Sequence, residues 1–330
     1  MTSHRIARRT VVASGLASVL APWAQAQTAP GTGRVVKIIV GFPPGQATDM
    51  VARVLAERLR GLTGDNYVVE NRPGQGGSLA LGQLAKSAPN GTTVMLAHMS
   101  ALATNPQIYQ SVPYDTLKDF DTAGLVGDLP FVLVCNPQLP FQNFSEFVQY
   151  ARANPDKLTN ASSGNGTVSH LAMEEIKRRT GLKITHIPYK GSVAGLTDVI
   201  SGNVSLALET ASSVRPHVES GRLRPLAAGS TRRLGGVFAN VPTLIEHGFP
   251  DLKAVTWLMM LYPSGTPKAQ LQAVQAAINS TVRNPEVDAK LVSIGLQPRL
   301  TSSVEESDEY LRSEYRYWAE VVKRSGIEKE

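Results

Sequence analysis

Val35-Val36-Lys37-Ile38-Ile39-Val40-Gly41-Phe42-Pro43-Pro44-Gly45-Gln46-Ala47-Thr48-Asp49 is the stretch on which the fold class turns. Residues 35–42 are apolar except for Lys37, the pattern of a strand covered on both faces rather than one with a solvent face. A Gly- and Pro-rich turn follows, and over 48–60 the period changes, with Met50, Val51, Val54, Leu55 and Leu59 on one helical face. Working outward, residues 93–97, 131–135, 183–187, 204–208 and 223–228 read as further strands. Residues 144–153, 168–179 and 193–200 read as helices, with Gly181 and Gly202 just beyond the last two as helix ends. Repeated strand–helix–strand units predict an α/β fold with mostly parallel sheets.

The last quarter is more helical. Thr266-Pro267 is an N-cap followed by a first-turn proline, and Leu271, Val274, Ile278 and Val282 form a stripe that stops at Asn284-Pro285. The closing helix begins with Glu305, Glu306, Asp308 and Glu309 and ends with Lys323-Arg324, favourable at both ends of its dipole. Its residues Val304, Leu311, Tyr315, Trp318 and Val322 are spaced for one buried face. At 330 residues, with 42% hydrophobic and 18% charged residues, the chain is long enough for two lobes and too apolar to be disordered.

Residues 1–26 read as an export signal: Arg5, Arg8 and Arg9, an apolar centre over 11–20, and the cleavage pattern Ala24-Gln25-Ala26. Arg8-Arg9 also fits a twin-arginine signal, but Val11-Val12 stands where a bulkier pair is expected, so general secretion stays open. Without these residues the balance of 33 basic against 27 acidic side chains loses three Arg and falls from +6 to +3. Cations interleave with acids along the chain, so no nucleic-acid stripe is expected, and no later run is long enough to span a bilayer. The single cysteine, Cys135, sits in an apolar run and is expected to be a buried free thiol.

Enzyme signatures are missing. There is no H-E-x-x-H, no C-x-x-C pair, no P-loop and no nucleophile elbow, and no cofactor or metal is expected. His170 and Glu174 are spaced i, i+4, but two ligands do not make a metal site. Gly164-Asn165-Gly166-Thr167 lacks the third glycine of a dinucleotide loop, having Ser169 there. What remains is a pair of strand-to-helix turns, 41–49 and 161–167, each offering free backbone N–H groups at a helix start. Such a start binds an anion without Arg or Lys, and two of them facing each other would clamp a carboxylate. Each alone is also readable as a plain, well-capped turn.

These turns and other segments resemble the solute-binding proteins of the tripartite tricarboxylate transporter system, the Bug family of bacterial periplasmic receptors. The matching stretches are Phe42-Pro43-Pro44-Gly45 with Thr48-Asp49, Val69-Glu70-Asn71-Arg72-Pro73-Gly74 with Gly76-Gly77, and His186-Ile187-Pro188-Tyr189-Lys190-Gly191. Gly221-Arg222-Leu223-Arg224-Pro225-Leu226-Ala227, Val241-Pro242-Thr243, Trp257, Pro263-Ser264-Gly265-Thr266-Pro267 and Trp318-Ala319-Glu320-Val321-Val322-Lys323 follow in family order.

The resemblance implies a two-lobed periplasmic-binding-protein (venus flytrap) fold with crossover strands. Lobe 1 would be 27–128 plus 256–330, and lobe 2 129–255. It implies a periplasmic receptor, usually monomeric, that hands a small carboxylated solute to membrane permease subunits. Its candidate ligand residues are Phe42, Pro44, Gly45, Thr48, Asp49 and Ser100 in lobe 1. Those in lobe 2 are Ser163, Gly164, Asn165, Gly166, Thr167 and His170, with Tyr189 and Lys190 nearby. Two departures bear on the ligand. Gln46 replaces a glycine of the pattern, and Glu209 stands at a strand end that the family pattern turns toward the cleft. There Glu209 would repel a polyanion such as citrate; a solvated or capped acid is the alternative. An exported enzyme using the cleft, or a sensory receptor of the same fold, are the competing functions.

Overall fold

The computed structural model describes residues 33–189, 191–327 and 329. The expected export signal and Lys190 lie outside the described residues.

The chain runs β1 (Val35–Val40), α1 (Ala47–Thr63), β2 (Asn66–Asn71), α2 (Ser78–Ala85) and β3 (Thr93–His98). A π-helical turn (Ser100–Thr104) then leads into the short α3 (Asn105–Ile108). The middle comprises β4 (Phe120–Cys135), α4 (Phe144–Ala153), β5 (Thr159–Ser162), α5 (Val168–Thr180), β6 (Thr185–Pro188), α6 (Ser192–Ser201), β7 (Leu206–Thr210), α7 (Ala211–Glu219) and β8 (Arg224–Ala228). The chain ends with β9 (Val255–Pro263), α8 (Lys268–Arg283), α9 (Pro285–Ile294), β10 (Gln297–Pro298) and α10 (Val304–Ser325).

One long strand carries the architecture. Residues 120–130 of β4 pair antiparallel with β9, while 131–135 pair antiparallel with β7 and β8. The strand order is therefore β2-β1-β3-β9-β4-β7-β5-β6, two half-sheets joined through β4. The parallel pairs expected from the sequence are on the flanks (β1 with β2 and β3, β5 with β6 and β7), and the centre is antiparallel. The chain crosses back beside this point: Phe131 N donates to Ala254 O at 3.0 Å, and Gly229 N to Phe131 O at 2.8 Å. A Cβ on Gly229 would lie 2.2 Å from Ala254 O, so only glycine lets these two segments meet.

β1 is buried on both faces, as its composition requires: Ile39 joins one apolar cluster, and Val36, Ile38 and Val40 join another. Its one charge, Lys37, reaches Glu70 of β2 at 2.9 Å. The first of these clusters continues from β3 through Trp257 and Met259 to Leu133, Leu171 and the buried face of α10, so one core runs behind both half-sheets. α1, α5 and α6 end on Gly64, Gly181 and Gly202, each left-handed, at φ 74°, 70° and 82°.

Two local expectations change. The N-cap of α8 is Pro267, while Thr266 Oγ1 donates to Pro263 O at 2.7 Å. In α10 the stripe includes a buried acid: Glu314 is 1% exposed. Its carboxylate accepts the indole N–H groups of Trp257 (2.8 Å) and Trp318 (3.1 Å) and binds the ammonium of Lys253. Cys135 is a buried free thiol, raised by burial to about 11. Among the described residues no helix is long and apolar enough to cross a membrane.

Candidate functional site

The first turn leaves β1 at Gly41, where a Cβ would lie 2.6 Å from Gly77 Cα. That contact presses the turn against the 75–77 loop preceding α2. Pro43, Pro44, Gly45 and Gln46 are exposed, Phe42 is half-buried, and Thr48 and Asp49 are buried. Asp49 is 2% exposed and its carboxylate is fully occupied. It accepts from the Gly45 amide (2.8 Å), Arg53 Nε (3.0 Å) and Asn71 Nδ2 (2.9 Å), and Asn71 Nδ2 also donates to Phe42 O at 2.9 Å. Burial opposes the charge, but hydrogen bonds from Arg53, Gly45 and Asn71 outweigh it and hold the carboxyl below its ordinary range.

Asp49 therefore shapes the turn and has no bonding capacity left for a ligand, and the Gly45 amide is already used. Of the amides of the turn 41–49 expected to be free, that of Gly45 is therefore taken. The open donors lie one step on. Ala47 N and Thr48 N, in the first turn of α1, have no acceptor among the described residues, and the first intrahelical bond at this end is Met50 N to Gln46 O at 3.0 Å.

The second turn repeats the design. Ser163 N donates to Ser169 Oγ (2.9 Å), Gly164 N to Ser162 Oγ (3.2 Å), Gly166 N to His170 Nδ1 (3.1 Å) and Thr167 N to Gly164 O (3.4 Å). Thr167 Oγ1 also donates to Gly164 O at 2.7 Å. Asn165 is exposed, and Ser163, Gly164 and Thr167 are half-buried. Here again the glycine-turn amides are bound, while Val168 N and Ser169 N in the first turn of α5 have no acceptor among the described residues. Both residues are buried.

Histidines hold this turn from beneath. His170 stacks on His186 with ring centroids 3.8 Å apart and an interplanar angle of 9°, and His186 Nε2 meets Ser162 Oγ at 2.6 Å. Burial, then the neighbouring His186 and Lys177, push His170 down to about 3, so it is a neutral acceptor for Gly166. Glu174 lies 3.8 Å from His170 Nε2, but no group of three or more metal-ligating side chains occurs among the described residues.

Glu209, expected to face the cleft, is instead 4% exposed and accepts from Ser163 Oγ. Burial raises it to about 7, against hydrogen bonds from Ser163, Ser169 and the Thr210 amide. The hydroxyl of Tyr189 is also committed, donating to Asp198 Oδ2.

The two turns meet through α3. A Cβ on Gly166, whose φ is +68°, would lie 1.9 Å from Ile108 Cδ1. The second half-sheet's turn is thus seated on an element that follows β3 of the first. Toward the first turn, half-buried Ser100 approaches His98 Nδ1 with its hydroxyl at 2.9 Å, and His98 contacts Phe42 with ring centroids 5.0 Å apart. Thr256 Oγ1 on β9 reaches His98 Nε2 at 3.0 Å, and burial holds His98 down to about 4.

The sequence reading missed His98, Asn71, Ser169 and His186 as parts of this region. The i, i+2 spacing of His98 and Ser100 carried a local signal. The pairing of His170 with His186 depends on β5–β6 register and carried none. A 590 Å³ groove between the start of β4 and the N-terminal part of α10 lies away from both turns.

Residues 51–327 match the family described as tripartite tricarboxylate transporter family receptor. Protein BugT of Bordetella pertussis is 35% identical over 294 residues, 89% of this chain and 90% of that protein. The solved structure of R. palustris Rpa4515 with adipate has a TM-score of 0.80 and 30% identity, covering 91% of this chain and 99% of its own. MatC from Rhodopseudomonas palustris with bound malate has a TM-score of 0.73 and 26% identity, covering 88% and 99%.

Proposed function

The chain belongs to the tripartite tricarboxylate transporter receptor family, a two-lobed solute-binding fold, and from that premise we propose how it captures its ligand. A carboxylate docks between the first turn of α1 and the first turn of α5, accepting from Ala47 N and Thr48 N on one side and from Val168 N and Ser169 N on the other. The observation that carries this reading is that these four amides, three of them on buried residues, have no acceptor among the described residues, while the Gly45, Ser163, Gly164, Gly166 and Thr167 amides are bound within the chain. Buried donors without acceptors are costly, and an anion at two helix starts would satisfy them with help from both dipoles.

The other candidates, among them Phe42, Pro44, Gly45, Asp49, Ser100, Gly164, Gly166, Thr167, His170 and Tyr189, then form the wall of the site rather than its gripping groups. The lobes divide at 128–131 and 253–256, where β4 changes partners and the chain crosses back, and closure is rotation about these two segments. The relatives solved with adipate and malate make small aliphatic dicarboxylates the leading ligand class. Capture ends in transfer to a membrane permease, without chemistry on the solute. The site of action is the periplasm, reached through the signal at residues 1–26. Titration calorimetry of the mature protein against mono-, di- and tricarboxylates tests the reading: saturable one-to-one heat with a dicarboxylate is expected, and no heat with any carboxylate overturns it.

A further inference from the structure

Among the described residues of the second turn region, Glu209 is the one acid that is buried without a cation. It sits on β7 opposite Val132 of β4, on the sheet face packed by α6 and α7. Those helices carry Asp198, Arg215, His217 and Glu219, but Asp198 holds Tyr189, and Arg215 reaches Ser293 O at 3.4 Å on α9. From α5 and β6 the turn is flanked by His170 and His186, both pushed below their ordinary value, first by burial. No ion pair to Glu209 occurs among the described residues; its partners are the hydroxyls of Ser163 and Ser169 and the Thr210 amide.

Ser163 is the link to the site. It is half-buried, its amide is fixed by Ser169 Oγ, and its hydroxyl hydrogen is spent on Glu209. While Glu209 is a carboxylate, Ser163 has only lone pairs left to offer, and a carboxylate ligand would face an oxygen acceptor backed by a negative charge. With a proton on Glu209 the bond reverses: the carboxylic acid donates to Ser163 Oγ, and the Ser163 hydrogen is released to a ligand oxygen.

Resting on the carboxylate-receptor reading above, we infer that Glu209 is a positioning residue for the second half-site, taking up one solvent proton as the ligand docks so that Ser163 turns its hydroxyl from Glu209 to the ligand. The receptor is thereby a proton-coupled binder of an organic anion. Because Glu209 titrates at about 7 in the free protein, the competent fraction drops about tenfold between pH 6 and pH 8, and the apparent Kd rises by about the same factor. Ligand carboxylates with ordinary pKa values near 4 stay ionised across that window.

Calorimetry of the mature protein with adipate, malate and benzoate, in buffers of different ionisation heat at pH 6, 7 and 8, reads affinity and proton uptake together. For whichever probe binds wild type most tightly, about tenfold weaker binding at pH 8 than at pH 6 is expected. The linkage predicts about half a proton taken up at pH 7 and nearly one at pH 8. Glu209→Gln, whose amide donates permanently to Ser163, is expected to bind as wild type does at pH 6 at every pH, with no proton uptake. Ser163→Ala is expected to bind more weakly at pH 6 and to lose the pH dependence. Wild-type affinity that is flat with no proton uptake, or a Glu209→Gln variant that keeps the wild-type slope, overturns the proposal while leaving the receptor reading standing. Should that variant not fold, the wild-type proton count decides alone. No binding of any probe at pH 6 overturns both.

Discussion

Gly166→Ala puts a methyl group where the structure has no room for one. The new Cβ would stand 1.9 Å from Ile108 Cδ1 and 2.9 Å from its Cγ1, and Ile108 is itself only 3% exposed. Holding alanine at a φ of +68° costs about 1–2 kcal/mol, and crowding a packed core by one methyl adds about 1–3 kcal/mol. A loss of about 2–5 kcal/mol in unfolding free energy is therefore expected, read by urea denaturation of the mature protein with an unchanged m-value. Ligand affinity should fall as well, because the clash lies between the turn of one half-sheet and α3 of the other. The steric part depends on Ile108 and the backbone part does not. Ile108→Ala alone should cost about 2–5 kcal/mol, but the double variant should be more stable than the sum of the two losses by at least about 1 kcal/mol. Losses that add to within about 0.5 kcal/mol would show that the turn does not rest on α3, and the account of how the half-sites meet would be wrong.

Asp49→Ala should cost about 2–4 kcal/mol, because the bonds from the Gly45 amide and Asn71 end on a charge, while exposed Arg53 adds little. It should weaken carboxylate binding by more than tenfold in calorimetry, and a variant that binds as wild type does would deny Asp49 its shaping role. Glu314→Leu strands two indole N–H groups and Lys253, and a loss of about 3–5 kcal/mol with altered Trp fluorescence is expected; a neutral result would show that water replaces the carboxylate. His170 titrates at about 3 in the fold against about 6.5 unfolded, so the unfolded chain alone binds its proton between those values and stability falls with falling pH. Its contribution is about 1.4 kcal/mol per pH unit between pH 6 and 4, partly masked by Glu209, which holds its proton more tightly folded and works in the opposite direction between 4.5 and about 7. His170→Asn should flatten denaturation-derived stability across pH 6–4 by that amount relative to wild type, and identical slopes would mean that His170 is protonated in the fold.

What could be read from the sequence was whatever local pattern controls. Periodicity found α1, α4, α5, α6, α8 and α10 to within a few residues because each has one apolar face and a clear stop. It missed β2, where Val68 stays half-exposed on a sheet edge, and β5, whose Thr159-Asn160-Ala161-Ser162 has no apolar run. The antiparallel place of β9 between β3 and β4 was not legible, since register between distant segments leaves no local trace. The same limit governed the site. Both turns were legible from their glycines and helix starts, whereas which amides remain open was not. That is decided by Asp49, Ser169 and His170 folding back on the turns, and Glu209 disappears from the cleft only once β7 is set beside the second turn.

The account stands on the first-turn amides of α1 and α5. Titrating adipate into the mature protein, ¹⁵N-labelled at alanine, glycine, threonine, valine and serine, and following the amide signals of Ala47, Thr48, Val168 and Ser169 tests them directly. All four should shift downfield together and saturate at the calorimetric Kd, with the Gly45 and Gly166 amides moving little. Saturable adipate binding that leaves those four signals in place would contradict the account.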